Sequence, residues 1–170
     1  MTDDDAPVVT LKNGADVTLN YGSDFNLSDY VDVTDNFDGV IQPQVEGSID
    51  NHKEDGVQTL TIKATDSSGN ESSAQLNVAV KDTEAPKISL SKSEVSVNVG
   101  ASLDLSNYLS SATDNKDGDV KGKVSIPSVS TSKAGSYTAT YTVSDAAGNQ
   151  GSASLTVKLM RYVLLLRKVL

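Results

Sequence analysis

The stretch SYTATYTVSD, Ser136 to Asp145, decides how this chain is read. Tyr137, Ala139, Tyr141 and Val143 fall on one side of a period of two, and Thr138, Thr140 and Thr142 on the other. Strict alternation of this kind means a strand with one buried face and one wet face, as in an antiparallel sheet. SASLTVKL, Ser152 to Leu159, alternates likewise through Ala153, Leu155, Val157 and Leu159. An earlier stretch repeats the pattern with Leu60, Ile62 and Ala64, and has Gln58 where Tyr137 stands in the later one. No long segment keeps the apolar period of a helix.

That correspondence belongs to a larger repeat. DDAPVVTL at Asp4 to Leu11 returns as TEAPKISL at Thr83 to Leu90. VTDNFDG at Val33 to Gly39 returns as ATDNKDG at Ala112 to Gly118, and ATDSSGN at Ala64 to Asn70 as VSDAAGN at Val143 to Asn149. Each pair is displaced by 79 positions, as Asp35 is from Asp114 and Asp66 from Asp145. The period is too long for a solenoid unit and fits a tandem domain. The expected organisation is a first domain at 1–81, a second at 82–159, and a tail at 160–170. Short strand-like runs separated by Gly, Asn, Asp and Ser turns make each copy a β-sandwich.

Composition excludes several functions. The net charge of −9 opposes binding to nucleic acid or an anionic membrane as the main activity. The absence of cysteine removes disulfides, thiol nucleophiles and thiolate metal sites. MTDDDAP has neither a basic n-region nor an apolar core, so an exported parent implies that this is an excised piece. The only histidine, His52, sits in the polar stretch DNHKEDG and reads as a solvated surface residue. No GxSxG, HExxH or P-loop is present, and catalysis is not expected.

Each copy resembles the bacterial immunoglobulin-like domains of the group 3 and hyalin-repeat kind. The likeness rests on D-x-x-A-P, T-D-N-x-D-G, G-x-Y-x-x-x-Y and D-x-x-G-N. The second copy carries all four: Asp82 with Ala85 and Pro86, Thr113 to Gly118, Gly135 with Tyr137 and Tyr141, and Asp145 with Gly148 and Asn149. The first copy lacks both tyrosines. The resemblance implies an all-β fold of two tandem Ig-like sandwiches on a bacterial cell-surface or secreted protein. It implies a stalk, spacer or adhesion unit, or alternatively an accessory glycan- or protein-binding module of a secreted hydrolase. Its partners would be a host or cell-wall protein or a glycan.

TDNKDGD, Thr113 to Asp119, is the one stretch with candidate ligands. In an Ig-like sandwich it lies at the same pole as DTEAP and SDAAGN. Asp82, Glu84, Asp114, Asn115, Asp117, Asp119 and Asp145 are then expected to gather where the two domains meet. Oxygen ligands in this number suit Ca²⁺. The competing reading needs no metal: Asp and Asn in turns accept hydrogen bonds from backbone N–H groups two residues on, and Gly supplies positive φ. Nothing in the sequence requires a cofactor.

The tail breaks the repeat. From Met160 the chain reads MRYVLLLRKVL, apolar and basic, and too short to span a bilayer, which needs about 20 residues. It is expected to be disordered, packed on a sandwich, or buried in an oligomer.

Overall fold

The computed structural model describes residues 3–161. The tail expected from Met160 therefore lies, from residue 162 on, outside the described residues. The chain forms two compact units, Met1–Thr83 and Glu84–Leu170. Among the described residues there is no α-helix, only strands and three short 3-10 turns.

The first unit is a two-sheet sandwich. One sheet holds β1 (Val8–Leu11), β3 (Val31–Asp35) and β4 (Gly39–Val40), in the order β1-β3-β4. The other holds β2 (Asp16–Asn20), β5 (Gln44–Glu46), β6 (Gln58–Thr65) and β7 (Glu71–Lys81), in the order β2-β7-β6-β5. The alternation read in β6 is realised: Leu60, Ile62 and Ala64 point inward and form the core with Leu76, Val78 and Val80 of β7 and with Leu19, Val31 and Val33. The second unit repeats the plan. One sheet is β8 (Lys87–Leu90), β10 (Leu109–Asp114) and β11 (Gly118–Asp119). The other is β9 (Glu94–Asn98), β12 (Gly135–Ser144) and β13 (Gln150–Met160). A single bridge between Ser125 and Thr142 stands where the first unit has β5. Ala139, Tyr141, Val143, Leu155, Val157 and Leu159 lie in its core. β13 runs to Met160, one residue beyond the predicted strand end, and the Met160 carbonyl accepts the Val99 N–H at 2.9 Å.

The sheets depart from the antiparallel expectation at one place in each unit. β2 pairs parallel with β7, Asp16 opposite Asn77 through Asn20 opposite Lys81. β9 pairs parallel with β13, Glu94 opposite Thr156 through Asn98 opposite Met160. The cause is the opening run of each copy, which is shared between both sheets. β1 pairs antiparallel with β3. The chain then kinks at Lys12–Ala15, where Gly14 takes φ of 81°, and runs on as β2 beside the last strand. A strand that changes sheet without turning back meets the last strand parallel.

The chain comes into each unit at one end and leaves at the other. In the first unit the Asn70 side-chain amide donates to the carbonyls of Asp3 (3.0 Å) and Asp5 (3.1 Å), which ties the leading segment to the start of β7. β7 then runs 11 residues to Lys81, about 35 Å at the usual rise per residue. In the second unit the leading segment crosses the start of β13. A Cβ on Gly151 would stand 1.8 Å from the Pro86 carbonyl oxygen, so only glycine permits this approach. The matching residue of the first copy is Ser72, so its leading segment leaves room for a side chain.

Candidate functional site: converging aspartates

Asp35 ends β3 and Asp114 ends β10, each before a three-residue turn closed by a glycine with positive φ, Gly39 at 75° and Gly118 at 69°. In the first unit Asp35 Oδ1 accepts the N–H groups of Phe37 (2.8 Å) and Asp38 (2.9 Å). In the second Asp114 Oδ1 accepts those of Lys116 and Asp117, both at 2.9 Å. This is the side-chain turn that the spacing of T-D-N-x-D-G predicts. It uses one carboxylate oxygen only. Oδ2 of Asp35 and Oδ2 of Asp114 are buried and have no hydrogen-bond partner.

Asp66 and Asp145 open the turns before β7 and β13. Oδ1 of Asp66 accepts the N–H groups of Ser68 and Asn70, and Oδ2 the Asn70 side-chain amide at 2.8 Å. Asp145 is held in the same way by Asn149, through its backbone N–H and its amide, each at 2.8 Å. Burial works against the charge on both residues. The hydrogen bonds from the Asn side chain and from turn N–H groups outweigh it and hold both pKa values below the ordinary 3.8.

The third member comes from the leading segment. Asp3, Asp35 and Asp66 each offer a carboxylate oxygen, and these oxygens lie within 4.8 Å of one another. Asp114 and Asp145, 79 positions on from Asp35 and Asp66, open the equivalent turns in the second unit. Asp3 Oδ2 is buried without a hydrogen-bond partner. Burial, and then the charges of Asp35, Asp66 and Asp5, push the Asp3 pKa up against the opposing hydrogen bond from the Asp5 N–H.

Of the candidates named from the sequence, Asp114 and Asp145 hold turns of the second unit, while Asp82 belongs to the first. Asp117 does something else: its Oδ2 accepts the Ala146 N–H at 2.7 Å and stitches the two loops to each other. Asp38 makes the equivalent stitch in the first unit to the N–H and hydroxyl of Ser67. Asp119 Oδ1 accepts the Lys121 N–H at 2.8 Å. Glu84 is not among the converging carboxylates. In the first unit the sequence offers Asp3, Asp4 and Asp5 alike, and a run of three consecutive aspartates gives no spacing signal that singles out Asp3. The 79-residue repeat, applied to Asp82, points to it. His52 is exposed and packs edge-on against Tyr21, ring centroids 5.0 Å apart.

These charges set a pH response. Groups with depressed pKa values contribute stability above their unfolded pKa and lose it as pH falls through the folded value. Asp104 and Asp145, both depressed, lie in the second unit. The first unit pairs depressed Asp66 with raised Asp3, whose protonation relieves repulsion, so the two responses oppose. Below about pH 4 the second unit's calorimetric transition is expected to fall faster than the first unit's. Equal acid sensitivity of the two transitions would refute this assignment.

Residues 89–159 match the family model described as bacterial surface protein, Ig-like domain. No curated relative matches the chain. Among solved structures, the M60 catalytic domain with the CBM51-1 and CBM51-2 domains of Clostridium perfringens ZmpB aligns over 92% of this chain and 31% of that one. The identity is 11% and the TM-score 0.52, a likeness of fold. A second ZmpB structure, CBM51-2 in complex with GlcNAc and INT domains, is 28% identical over 45% of this chain and 17% of that one, with a TM-score of 0.38. Drosophila N-cadherin EC1-4 is 15% identical over 94% of this chain and 50% of that one, with a TM-score of 0.35. The chain spans less than a third of the length of either ZmpB chain.

Proposed function

We propose that this chain is a non-catalytic spacer module of a bacterial surface or secreted protein. The family match over 89–159 supports the surface setting. The observation that carries the spacer reading is the path of the chain, which comes into each unit at one end and leaves at the other. Such units extend a protein when joined in series. The terminal strands also suit tension. Pulled by its ends, the first unit draws β2 back toward the leading end and β7 toward the exit, so their parallel ladder is loaded in shear and its bonds share the force. Asn77 reinforces the pair by donating to Asp16 Oδ1 at 2.8 Å. In the second unit Lys158 bridges from β13 to Glu94 of β9 at 2.8 Å. Against catalysis stand the buried carboxylates Asp66 and Asp145, whose low pKa values make them poor proton donors.

Single-molecule pulling through the chain ends tests this. Two unfolding events are expected. Val17→Pro, which removes a donor from the middle of the β2 ladder, should lower the force of one event and leave the other unchanged. A chain that extends under load with no resolved events would sink the spacer reading.

One observation favours an adhesive role instead. Val8 and Val40 both lie opposite Thr34, and with Phe37 they leave an apolar strip on the first unit, 58%, 78% and 64% exposed. The second copy has Lys87, Asp119 and Lys116 at these positions. Saturable binding to a glycan or matrix protein that disappears in Val40→Asp with folding intact would replace the spacer reading by a binding one.

A further inference from the structure

We propose that the open edge of β12 pairs with the same edge of a second copy of this chain. The inference is independent of the spacer reading. β12 spans ten residues and has β13 on one side only. Among the described residues every other strand at a sheet edge has five residues or fewer. On its outer side β12 meets one partner, Ser125, whose N–H and carbonyl bond the carbonyl and N–H of Thr142 at 2.7 and 3.2 Å. The backbone groups of a strand alternate in direction, so those of Thr140, Thr138 and Ser136 point the same way as those of Thr142. The far side of the ladder agrees in phase. Thr156, opposite Thr138, turns its N–H away from β12 and donates it to the Ser93 carbonyl at 2.9 Å. Among the described residues no backbone bond crosses the outer edge at Ser136, Thr138 or Thr140. The cause is in the sequence. Continued past Ser125, the antiparallel register would set Pro127 opposite Thr140, and proline has no N–H to give. In the first unit Glu46 holds that place and pairs with Thr61, so β5 covers the edge.

Soluble proteins blunt such edges with lysine, proline or a bulge. β12 has none of these. Gly135 to Ser144 contains no charged residue and no proline, and its register with β13 runs without a shift. The side chains of Ser136, Thr138 and Thr140 are exposed, small and uncharged. The edge is also complementary to itself. Two copies related by a two-fold axis at Thr138 run antiparallel, with Thr138 opposite Thr138 and Ser136 opposite Thr140 on each side. Each of these three pairs exchanges two N–H to carbonyl bonds, and the hydroxyls face one another across the seam, an arrangement that favours Thr and Ser. This is the register that engages all three open residues. A shift one way would displace Ser125 from Thr142, and a shift the other way would run past Gly135, where the strand begins. A closed two-fold contact of this kind ends at two chains.

The test uses the full chain. Sedimentation equilibrium from about 10 µM to about 1 mM is expected to show the mass rising from one chain towards two and no further. Amide hydrogen exchange followed by NMR reads the register. Ser136, Thr138 and Thr140 should exchange fast in the single chain and slow down as it associates, while Tyr137, Ala139 and Tyr141 stay protected throughout. Thr138→Lys sets two like charges face to face at the axis and should weaken association at least about fivefold. Thr138→Pro removes an N–H that points away from β13, so the β12 ladder with β13 stands, and two of the six bonds between copies are lost. It should weaken association at least about tenfold. Thr59→Lys, the same place in the first unit, should associate as wild type. A single chain at about 1 mM, or association without slowed exchange at the three amides, would overturn the proposal. So would association that survives both Thr138 variants, or that Val40→Asp abolishes. A chain that stays single while an added extended Thr/Val-rich peptide protects the three amides would assign the edge to a different protein. The wild-type series decides on its own if a variant fails to fold.

Discussion

Replacing Tyr141 by alanine is expected to destabilise the second unit by about 3–5 kcal/mol, enough to shift its calorimetric transition by more than about 10 °C or to abolish it. Tyr141 is the largest wholly buried side chain among the described residues. Its ring fills the centre of the second core, and its hydroxyl donates to the Leu105 carbonyl at 2.7 Å in the turn that leads into β10. Alanine removes the ring, leaves a cavity and strands that carbonyl. Phenylalanine keeps the ring and strands the carbonyl alone, at about 1–3 kcal/mol. The ordering Tyr, Phe, Ala therefore separates packing from hydrogen bonding. The first unit's transition should stay in place in both variants. Equal stability of the Phe and Ala forms would show that the hydroxyl, and not the ring, carries the effect.

Truncating Leu76 or Leu155 to alanine is expected to cost about 2–5 kcal/mol, each in its own unit. The two residues are 79 positions apart, and both are 0% exposed on the last strand of their sandwich. Leu76 packs in one core cluster and Leu155 in the other, with no residue shared. Groups without shared partners contribute additively, so the double variant should show the sum of the single losses within about 0.5 kcal/mol. Two calorimetric transitions, each moved by one substitution only, is the expected record. A single transition lowered by either substitution would mean that the units unfold as one.

Much of this fold was legible because its signals are local. Alternation along SYTATYTVSD names the inward residues Ala139, Tyr141 and Val143 directly, and all three are buried. The turn at Asp114 was equally legible, since its bonds reach only two and three residues ahead. The missing tyrosine of the first copy was visible as Ile62, but not what takes up its space. There Phe25 and Tyr30 stack with centroids 5.1 Å apart and pack against the core with Leu27. Gln58, in place of Tyr137, ties the 50–53 loop by bonding the N–H and carbonyl of Asp50.

By itself, then, the sequence determined the number of modules, the inward face of the long strands and the chemistry of each turn. All of these depend on neighbours within a few residues or on the 79-residue repeat. Only the tertiary structure decided which aspartates meet. Asp3, Asp35 and Asp66 are separated by about thirty residues at each step, and their convergence depends on three chain segments delivering their ends to the same pole. It also separated Asp35 from Asp38, residues of one type three positions apart, since one faces its trio and the other a neighbouring loop. The parallel pairing of β2 with β7 was hidden for the same reason. A change of sheet at Lys12–Ala15 leaves the alternation of both flanking strands intact, so no local pattern marks it.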